Sequence, residues 1–170
     1  MFENQKRLGF FPEGTEISER DPDVEDSDSL SDDPKKHYTR MMEVYAGFQT
    51  YTDRHFGRLL DFLEQLGELD NTIIMMISDN GASPEGGDVG SLNEYDFFNF
   101  LGEDLENNLA HLDELGSPES YNHSADGWAH AGNTPFRRWK KETFRGGTTD
   151  PFMISWPAKY PGNGEIRHQY

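Results

Sequence analysis

Two adjacent polar residues, Asp79 and Asn80, offer a carboxylate and an amide oxygen directly after an apolar run of the chain. Oxygen atoms of this kind are the ligands that hard divalent cations such as Ca²⁺ and Mg²⁺ prefer. Because Ca²⁺ takes about six to eight oxygen ligands, two residues supply only part of a site. An Asp-Asn-Gly sequence is also a common turn, so the residues alone leave both interpretations open.

A second candidate is a short basic segment in an otherwise acidic chain. Residues 137–141 carry four basic side chains, among them Lys140, and the pair Gly146-Gly147 follows. A lysine ammonium pairs as a point charge with sulfate or phosphate oxygens, and glycines let the backbone approach a ligand closely. The segment is therefore either an anion site or a solvated basic turn.

Three ring-bearing residues, His123, Trp128 and His130, precede the basic segment in a loop region rich in Gly, Asn and Asp. They are candidates for lining the same pocket, although a neutral surface histidine is the commoner case. We retain His123 as a candidate substrate contact.

The composition excludes several classes of function. The chain of 170 residues has a formal net charge of −17, so nucleic acid and anionic membranes are not expected partners. It has no cysteine, which excludes disulfides, thiolate metal sites and a cysteine nucleophile. No apolar run approaches transmembrane length, and residues 1–11 lack the features of a signal peptide, which leaves the compartment undetermined.

The acidic charge is concentrated near the start of the chain. Residues 12–33 are rich in Ser, Pro and Asp with few apolar side chains, which indicates a surface loop or a disordered arm of solvated charges. The D-x-D-x-D-G pattern of a calcium loop is absent. The sequence thus predicts an acidic arm over residues 1–33 and a folded domain over residues 34–170.

A long amphipathic helix is predicted over residues 34–66, where apolar side chains recur at spacings of three and four residues. Asp32 or Asp33 can cap its start, and Gly67 can end it. We expect the apolar stripe to pack against the core.

Two short apolar runs, residues 72–77 and 151–156, predict strands that are buried on both faces, because neither alternates with polar residues. Between them, residues 95–115 carry a partial helical stripe that Gly116 ends. The succession of a helix, a tight connection, a buried strand and a polar turn is typical of an α/β domain. Ligands of such domains lie beyond the carboxyl ends of strands, which is where Asp79 falls.

A series of short motifs follows in a fixed order along the chain. They are Ile77-Ser78-Asp79-Asn80-Gly81-Ala82, Gly127-Trp128-Ala129, Asn133-Thr134-Pro135-Phe136-Arg137, Lys140, Gly146-Gly147, Pro151 and Trp156-Pro157. Their order and spacing resemble those of bacterial arylsulfatases in the sulfatase family. The run Met42-Glu43-Val44-Tyr45-Ala46-Gly47 also resembles the helix before that family's metal strand. The similarity covers nearly the whole chain from Asp32 onward.

The resemblance implies a partial alkaline-phosphatase-like α/β fold, with a long helix packed on buried strands, and hydrolysis of sulfate esters. In that family a divalent metal, usually Ca²⁺ with Mg²⁺ as the alternative, is held by two early aspartates and a later Asp-Asn pair. Asp79 and Asn80 match the later pair. A later lysine contacts the sulfate group, and Lys140 matches it. The implied partners are a sulfate ester substrate and the N-terminal part of the catalytic domain.

The chain also departs from the family pattern. The family's nucleophile is a formylglycine made from Cys or Ser in a Cys/Ser-x-Pro-x-Arg motif, and this chain contains no such motif. The paired early aspartates and the upstream lysine and histidines are missing as well, and Arg145 stands where the family usually has Glu. We therefore expect an arylsulfatase fragment that is inactive alone, because the formylglycine would come from the N-terminal part.

Two alternatives remain open at this point. Sulfate and phosphate esters differ little in shape, so a phosphoester or phosphonate ester hydrolase of the same superfamily is one of them. The other is a non-enzymatic, acidic metal-binding or interaction module, which would leave the segment around Lys140 unexplained.

Overall fold

The computed structural model describes residues 1–102, 104–160, 162 and 164–168. The helices are α1 (Phe2–Arg7), α2 (Asp32–Gln65), α3 (Tyr95–Phe98), α4 (Leu105–Ala110), α5 (Asp126–Gly132) and α6 (Arg145–Thr148), and the strands are β1 (Ile74–Ile77) and β2 (Phe152–Ser155). Short 3₁₀ turns lie at Leu69–Asn71 and Leu112–Glu114. This mixed architecture is compatible with part of an α/β fold. In the described part of the chain, no helix is long and apolar enough to cross a bilayer.

Helix α2 confirms the predicted long helix. It begins after Ser31, and Pro34 lies in its first turn, where a missing backbone N–H leaves no hydrogen bond unmade. The helix ends in the left-handed conformation of Gly67, whose φ is 72°. The amide of Glu68 then donates to the carbonyl of Leu63 at 3.0 Å, which satisfies a carbonyl of the last turn.

The start of α2 is the part that packs on the core. Met41 is fully buried and forms the central cluster with Leu115 and Ala125. His37 is also fully buried, with its Nε2 2.7 Å from the carbonyl of Val89.

Much of the rest of the apolar stripe of α2 is exposed among the described residues. Half or more of the surface of Tyr45, Phe48, Leu59 and Leu66 is exposed, while Phe56, Leu60 and Leu63 are partly buried. The main packing neighbours of α2 are α4 and the Leu69–Asn71 turn. The prediction that the whole stripe is core, and that the helix packs on the strands, is therefore wrong for the described residues.

Strands β1 and β2 form an antiparallel two-stranded sheet in which Ile74 faces Ser155 and Ile77 faces Phe152. Both strands lie within the predicted runs. The prediction that they are buried on both faces is wrong here, because Met75 and Ile77 are 63% and 67% exposed. A two-stranded sheet without a second layer leaves its apolar faces in solvent.

The helix predicted over residues 95–115 is interrupted. Phe100 adopts a left-handed backbone with φ 57°, and Asp104 starts α4 by accepting a hydrogen bond from the amide of Asn107 at 2.9 Å. An aspartate is a better helix cap than a helix-interior residue, which explains the new start. Residue 103, within this predicted range, lies outside the described residues.

The acidic arm contacts the rest of the chain. The ring of Phe11 packs edge-on against Phe136 with centroids 5.6 Å apart, and the amide of Ser18 donates to the carbonyl of Pro135 at 3.0 Å. Asp21 is only 1% exposed. A buried carboxylate was not expected from an arm of solvated charges.

We predict that the exposed sheet makes the chain self-associate. Met75 and Ile154 lie opposite each other on one face and are 63% and 56% exposed. The double change Met75→Lys and Ile154→Glu replaces this apolar pair with a cross-strand ion pair. The double variant should be monomeric by size-exclusion chromatography with light scattering, at concentrations where the unmodified chain forms larger species.

The matched control is Ile17→Lys, which adds a charge at a residue that is 58% exposed outside the sheet. This variant should associate as the unmodified chain does. Equal loss of association in both variants would show that the oligomeric state does not depend on the exposed face of the sheet.

Candidate active site

Two loops carry the predicted site residues. The strand loop comprises residues 78–86, follows β1 and contains Asp79 and Asn80. The lysine loop comprises residues 133–147 and contains Lys140. Direct hydrogen bonds join the two loops, so residues that are far apart in sequence belong to one surface.

The side chain of Asn133 bridges the loops. Its Oδ1 accepts a hydrogen bond from the amide of Ala82 at 3.0 Å, while its Nδ2 donates to the carbonyl of Arg138 at 3.1 Å. In return, the amide of Lys140 donates to the carbonyl of Ala82 at 3.1 Å. These three bonds fix the backbone of Lys140 next to the strand loop.

The approach of the loops is so close that it requires glycine. A Cβ atom at Gly81 would overlap the carbonyl of Gly146, and one at Gly146 would overlap the carbonyls of Arg137 and Arg138. The amide of Gly81 donates to the carbonyl of Gly147 at 3.3 Å. The sequence suggested that Gly146 and Gly147 admit a ligand, whereas in the structure they admit the neighbouring backbone.

Lys140 and Lys141 share one carboxylate. The Nζ of Lys140 lies 2.9 Å from Oε2 of Glu85, and the Nζ of Lys141 lies 3.2 Å from Oε1 of the same residue. The hydrogen bond from Lys140 is the main cause that lowers the pKa of Glu85 to about 2; partial burial opposes it, and Ser83 and Lys141 add to it. The trio keeps one net positive charge beside the strand loop.

The backbone on both sides of Lys140 is strained. Arg138 and Lys141 have φ angles of 64° and 77°, in the left-handed region that costs a non-glycine residue about 1–2 kcal/mol. Both residues are held by ion pairs, Arg138 with Asp21 and Asp23 and Lys141 with Glu85. Strain of this kind persists where the surroundings fix the conformation, and it is concentrated at functional sites.

The acidic arm supplies the partners of Arg138. Oδ2 of Asp23 accepts a hydrogen bond from Arg138 at 2.9 Å, which is the main cause that raises the pKa of Arg138. Oδ2 of the buried Asp21 lies 2.9 Å from Nε of Arg138, as an ion pair without hydrogen-bond geometry. Sequence reasoning missed these partners, and also Glu85, because no motif or periodicity marks them.

Asp79 and Asn80 lie directly after β1, with Asp79 exposed and Asn80 partly buried. The hydroxyl of Ser78 donates to the carbonyl of Asn80 at 2.9 Å and so stabilises the turn. Burial raises the pKa of Asp150, and the charge of Asp79 raises it further. Asp150 is therefore a second carboxylate near Asp79 that the sequence did not single out.

The chemistry of these side chains fits a hard cation, but their number does not complete a site. In the described ranges, no group of three or more His, Cys, Asp or Glu side chains could hold a metal ion. Since Ca²⁺ takes about six to eight oxygens, Asp79 and Asn80 form an incomplete donor set.

Of the three ring-bearing residues that were expected in a loop, Trp128 and His130 lie on α5 and have packing contacts. The indole of Trp128 donates to the carbonyl of Tyr38 at 2.8 Å. The ring of His130 packs edge-on against Trp139, and burial lowers the pKa of His130.

His123 pairs with the backbone of Ser91 through two hydrogen bonds of 3.0 Å, and its Nδ1 lies 3.3 Å from the carbonyl of Ser124. These contacts attach His123 to the segment that follows the strand loop. A role of its ring in substrate binding stays a prediction.

The chain is similar to proteins of a known family over almost all of its length. The sulfatase family model matches residues 9–170. An uncharacterized sulfatase of Schizosaccharomyces pombe is 33% identical over 157 residues, which is 90% of this chain and 27% of that protein. An arylsulfatase of Klebsiella aerogenes is 29% identical over 154 residues, which is 90% of this chain and 31% of that protein.

A third relative matches over a shorter range. An N-acetylglucosamine-6-O-sulfatase of Bacteroides thetaiotaomicron is 48% identical over 44 residues, which is 26% of this chain and 8% of that protein. The chain thus spans 27% and 31% of the length of the two relatives that it matches almost throughout.

We predict that Gly146→Ala destabilises the chain, because the added methyl group would overlap the carbonyl of Arg138. The expected loss is roughly 1–3 kcal/mol in the free energy of unfolding, as for other overpacked sites. The control is Gly57→Ala in α2, where a Cβ atom meets nothing within 4 Å. That change should raise stability by about 0.5–1 kcal/mol. Denaturant titration measures both, and a neutral Gly146→Ala would contradict the close packing of Gly146 on Arg138 within the lysine loop.

The low pKa of Glu85 predicts a pH dependence of stability. Because the pKa falls from 4.5 to about 2 on folding, the unfolded chain binds more protons between these values. The stabilisation is present above pH 4.5 and is lost as the pH falls towards 2.

The stability difference between the unmodified chain and Glu85→Gln should therefore be constant from pH 8 to pH 5.5 and shrink below about pH 4.5. Thermal melts over this range measure it. Glu64→Gln, at an exposed residue of α2, is the matched control and should show no such change. A pH-independent difference for Glu85→Gln would contradict the ion pairs.

Proposed function

The chain belongs to the sulfatase family, and on that premise we propose that it forms the anion-binding part of a sulfate ester hydrolase. In this proposal, Lys140 binds the sulfate group, while Asp79 and Asn80 contribute to a divalent metal site. The observation that supports it is the positively charged trio of Glu85, Lys140 and Lys141, which hydrogen bonds hold against the strand loop.

The chemistry of the trio suits a sulfate ester. The ammonium of Lys140 has three N–H donors, and within the described part of the chain Glu85 uses one, which leaves two for sulfate oxygens. Glu85 remains ionised at neutral pH, since its pKa is about 2, and it orients the ammonium without cancelling both lysine charges. A positive charge held in place before the substrate arrives stabilises negative charge that develops during ester cleavage.

A divalent cation, Ca²⁺ with Mg²⁺ as the alternative, would supply Lewis-acid chemistry when bound. The carboxylate of Asp79 and the amide oxygen of Asn80 would be two of its ligands. Burial raises the pKa of Asp150 and the charge of Asp79 raises it further, so a cation bound at Asp79 would also offset the repulsion between the two carboxylates. The remaining oxygens would come from the rest of the enzyme.

The nucleophile belongs to another part of the enzyme in this proposal. The chain has no Cys, and it has no Ser-x-Pro-x-Arg motif from which a formylglycine could form. We therefore propose that the chain alone binds sulfate weakly and does not hydrolyse esters. The arylsulfatase among its relatives favours aryl sulfates as the first test substrates. No observation favours a phosphoester hydrolase or a non-enzymatic module over this function.

We predict that Lys140→Ala weakens the binding of inorganic sulfate by about 10–100-fold, the effect of losing one charged hydrogen-bond partner. Titration calorimetry or NMR chemical-shift titration at low ionic strength measures the affinity. Lys35→Ala, an exposed lysine of α2, is the matched control and should bind as the unmodified chain does.

Equal sulfate affinity in the two variants would overturn the assignment of Lys140. Release of 4-nitrophenol from 4-nitrophenyl sulfate by the chain alone would overturn the assignment of the nucleophile to another part of the enzyme.

A further inference from the structure

Asp21 is a buried carboxylate at the point where the acidic arm meets the lysine loop. Its side chain is 0% exposed, whereas most aspartates lie in water. Oδ1 accepts a hydrogen bond from the amide of Asp23 at 3.1 Å, and Oδ2 lies 2.9 Å from Nε of Arg138. A buried carboxylate is costly unless a positive charge offsets it, so the pairing with Arg138 is a condition for the burial of Asp21.

Two further contacts hold the acidic arm against the same loop. The ring of Phe11 packs on the ring of Phe136. The amide of Ser18 donates a hydrogen bond to the carbonyl of Pro135 at 3.0 Å. Asp21 is therefore the third of three successive contacts between the arm and the lysine loop, and the first two fix its place.

The ion pair opposes a strained backbone at Arg138. The φ angle of Arg138 is 64°, a left-handed conformation that is disfavoured by about five- to thirtyfold in a residue other than glycine. Its guanidinium is held at two points, since Nη1 donates to Oδ2 of Asp23 at 2.9 Å while Nε faces Asp21. Rotation to an ordinary φ would move the guanidinium away from Asp21 and leave that carboxylate buried without its cation.

The backbone of Arg138 leads directly to Lys140. The carbonyl of Arg138 accepts a hydrogen bond from Nδ2 of Asn133 at 3.1 Å, and it packs so closely on Gly146 that a Cβ atom there would overlap it. Two residues further on, the amide of Lys140 donates to the carbonyl of Ala82 at 3.1 Å. A change of φ at Arg138 would displace its carbonyl and the chain that follows, including the amide of Lys140.

We propose that Asp21 is a positioning residue for Lys140. Its charge holds Arg138 in the left-handed conformation, and this conformation places Lys140 beside the strand loop. The effect on sulfate affinity rests on the proposed function, because that function takes Lys140 as the sulfate contact. The effect on the hydrogen bond between the Lys140 amide and Ala82 does not depend on it.

The first test is Asp21→Asn, which keeps the shape of the side chain and removes its charge. The affinity of the full chain for inorganic sulfate, measured by titration calorimetry, should fall about tenfold, because a smaller fraction of the chains has Lys140 in place. Hydrogen exchange of the Lys140 amide, measured by NMR, should become faster by a similar factor. The exchange of the Met41 amide in α2 should not change.

Asp26→Asn is the matched control. Asp26 also accepts a hydrogen bond from the amide two residues on and also pairs with an arginine, but these partners, Asp28 and Arg20, belong to the arm itself. The variant removes the same charge and should bind sulfate as the unmodified chain does, with unchanged exchange at Lys140.

A second pair of variants separates backbone strain from loss of the ion pair, and it also serves if Asp21→Asn alone does not fold. Both carry Asp21→Asn, combined with either Arg138→Gly or Arg138→Ala, so that neither leaves one partner of the pair buried alone. Glycine adopts a positive φ without steric cost. The variant with Arg138→Gly should therefore keep nearly the sulfate affinity of the unmodified chain, whereas the variant with Arg138→Ala should bind about fivefold more weakly. Equal affinity in the two would overturn the positioning role.

The remaining outcomes distinguish the proposal from the function on which it rests. If Asp21→Asn binds sulfate as tightly as the unmodified chain or more tightly, with unchanged exchange at Lys140, the positioning role is overturned, and Asp21 only neutralises Arg138. An equal rise in exchange at Lys140 and Met41 would overturn it as well, in favour of general stabilisation. If Lys140→Ala keeps its sulfate affinity while Asp21→Asn speeds exchange at Lys140 alone, the proposed function fails and the positioning role stands.

Discussion

The contact between the backbones of Gly81 and Gly146 is the constraint on which the candidate site depends. No side chain fits between these residues, so the strand loop and the lysine loop approach each other at main-chain distance. That approach brings the loops within reach of the hydrogen bonds of Asn133 and of the hydrogen bond from the Lys140 amide to the Ala82 carbonyl. The position of Lys140 is thereby set by the main chain, which is less adaptable than side-chain packing.

In a chain with a net charge of −17, a positively charged site depends on which acidic side chains pair with which basic ones. The acidic arm pairs with Arg138 through Asp21 and Asp23, and so removes Arg138 from anion binding. Arg137 lies over the ring of Phe144 at 4.5 Å. The basic segment therefore contains side chains with different contacts, and Lys140 and Lys141 retain the net positive charge that the proposed sulfate group would meet.

Much of the local structure could be predicted from the sequence, but its burial could not. The spacing of apolar residues predicts α2, and the continuous runs predict β1 and β2, because helix and strand periodicity are local properties. Periodicity shows which face can be buried. It does not show whether another layer covers that face, and the exposure of Met75 and Phe48 follows from this difference.

The site residues divide in the same way. The order of short motifs along the sequence predicted the candidates Asp79, Asn80 and Lys140. Glu85 and Asp23 were not, because they pair with the lysine loop across 55 and 115 residues of sequence. Such pairs depend on how two irregular loops meet, and irregular loops carry no repeating pattern.

The two halves of the candidate site depend on the rest of the enzyme to different extents. In the lysine half, residues of the same chain hold Lys140, since its backbone contacts Ala82 and its side chain contacts Glu85. In the metal half, Asp79 and Asn80 follow β1, a strand whose side chains are largely exposed. The carboxylate of Asp79 also has a second carboxylate, that of Asp150, nearby. Two carboxylates without a cation repel each other, and two or three oxygens bind Ca²⁺ too weakly to compensate. In the proposed function, anion binding would therefore depend on residues of this chain, whereas metal binding would need ligands in addition to Asp79 and Asn80.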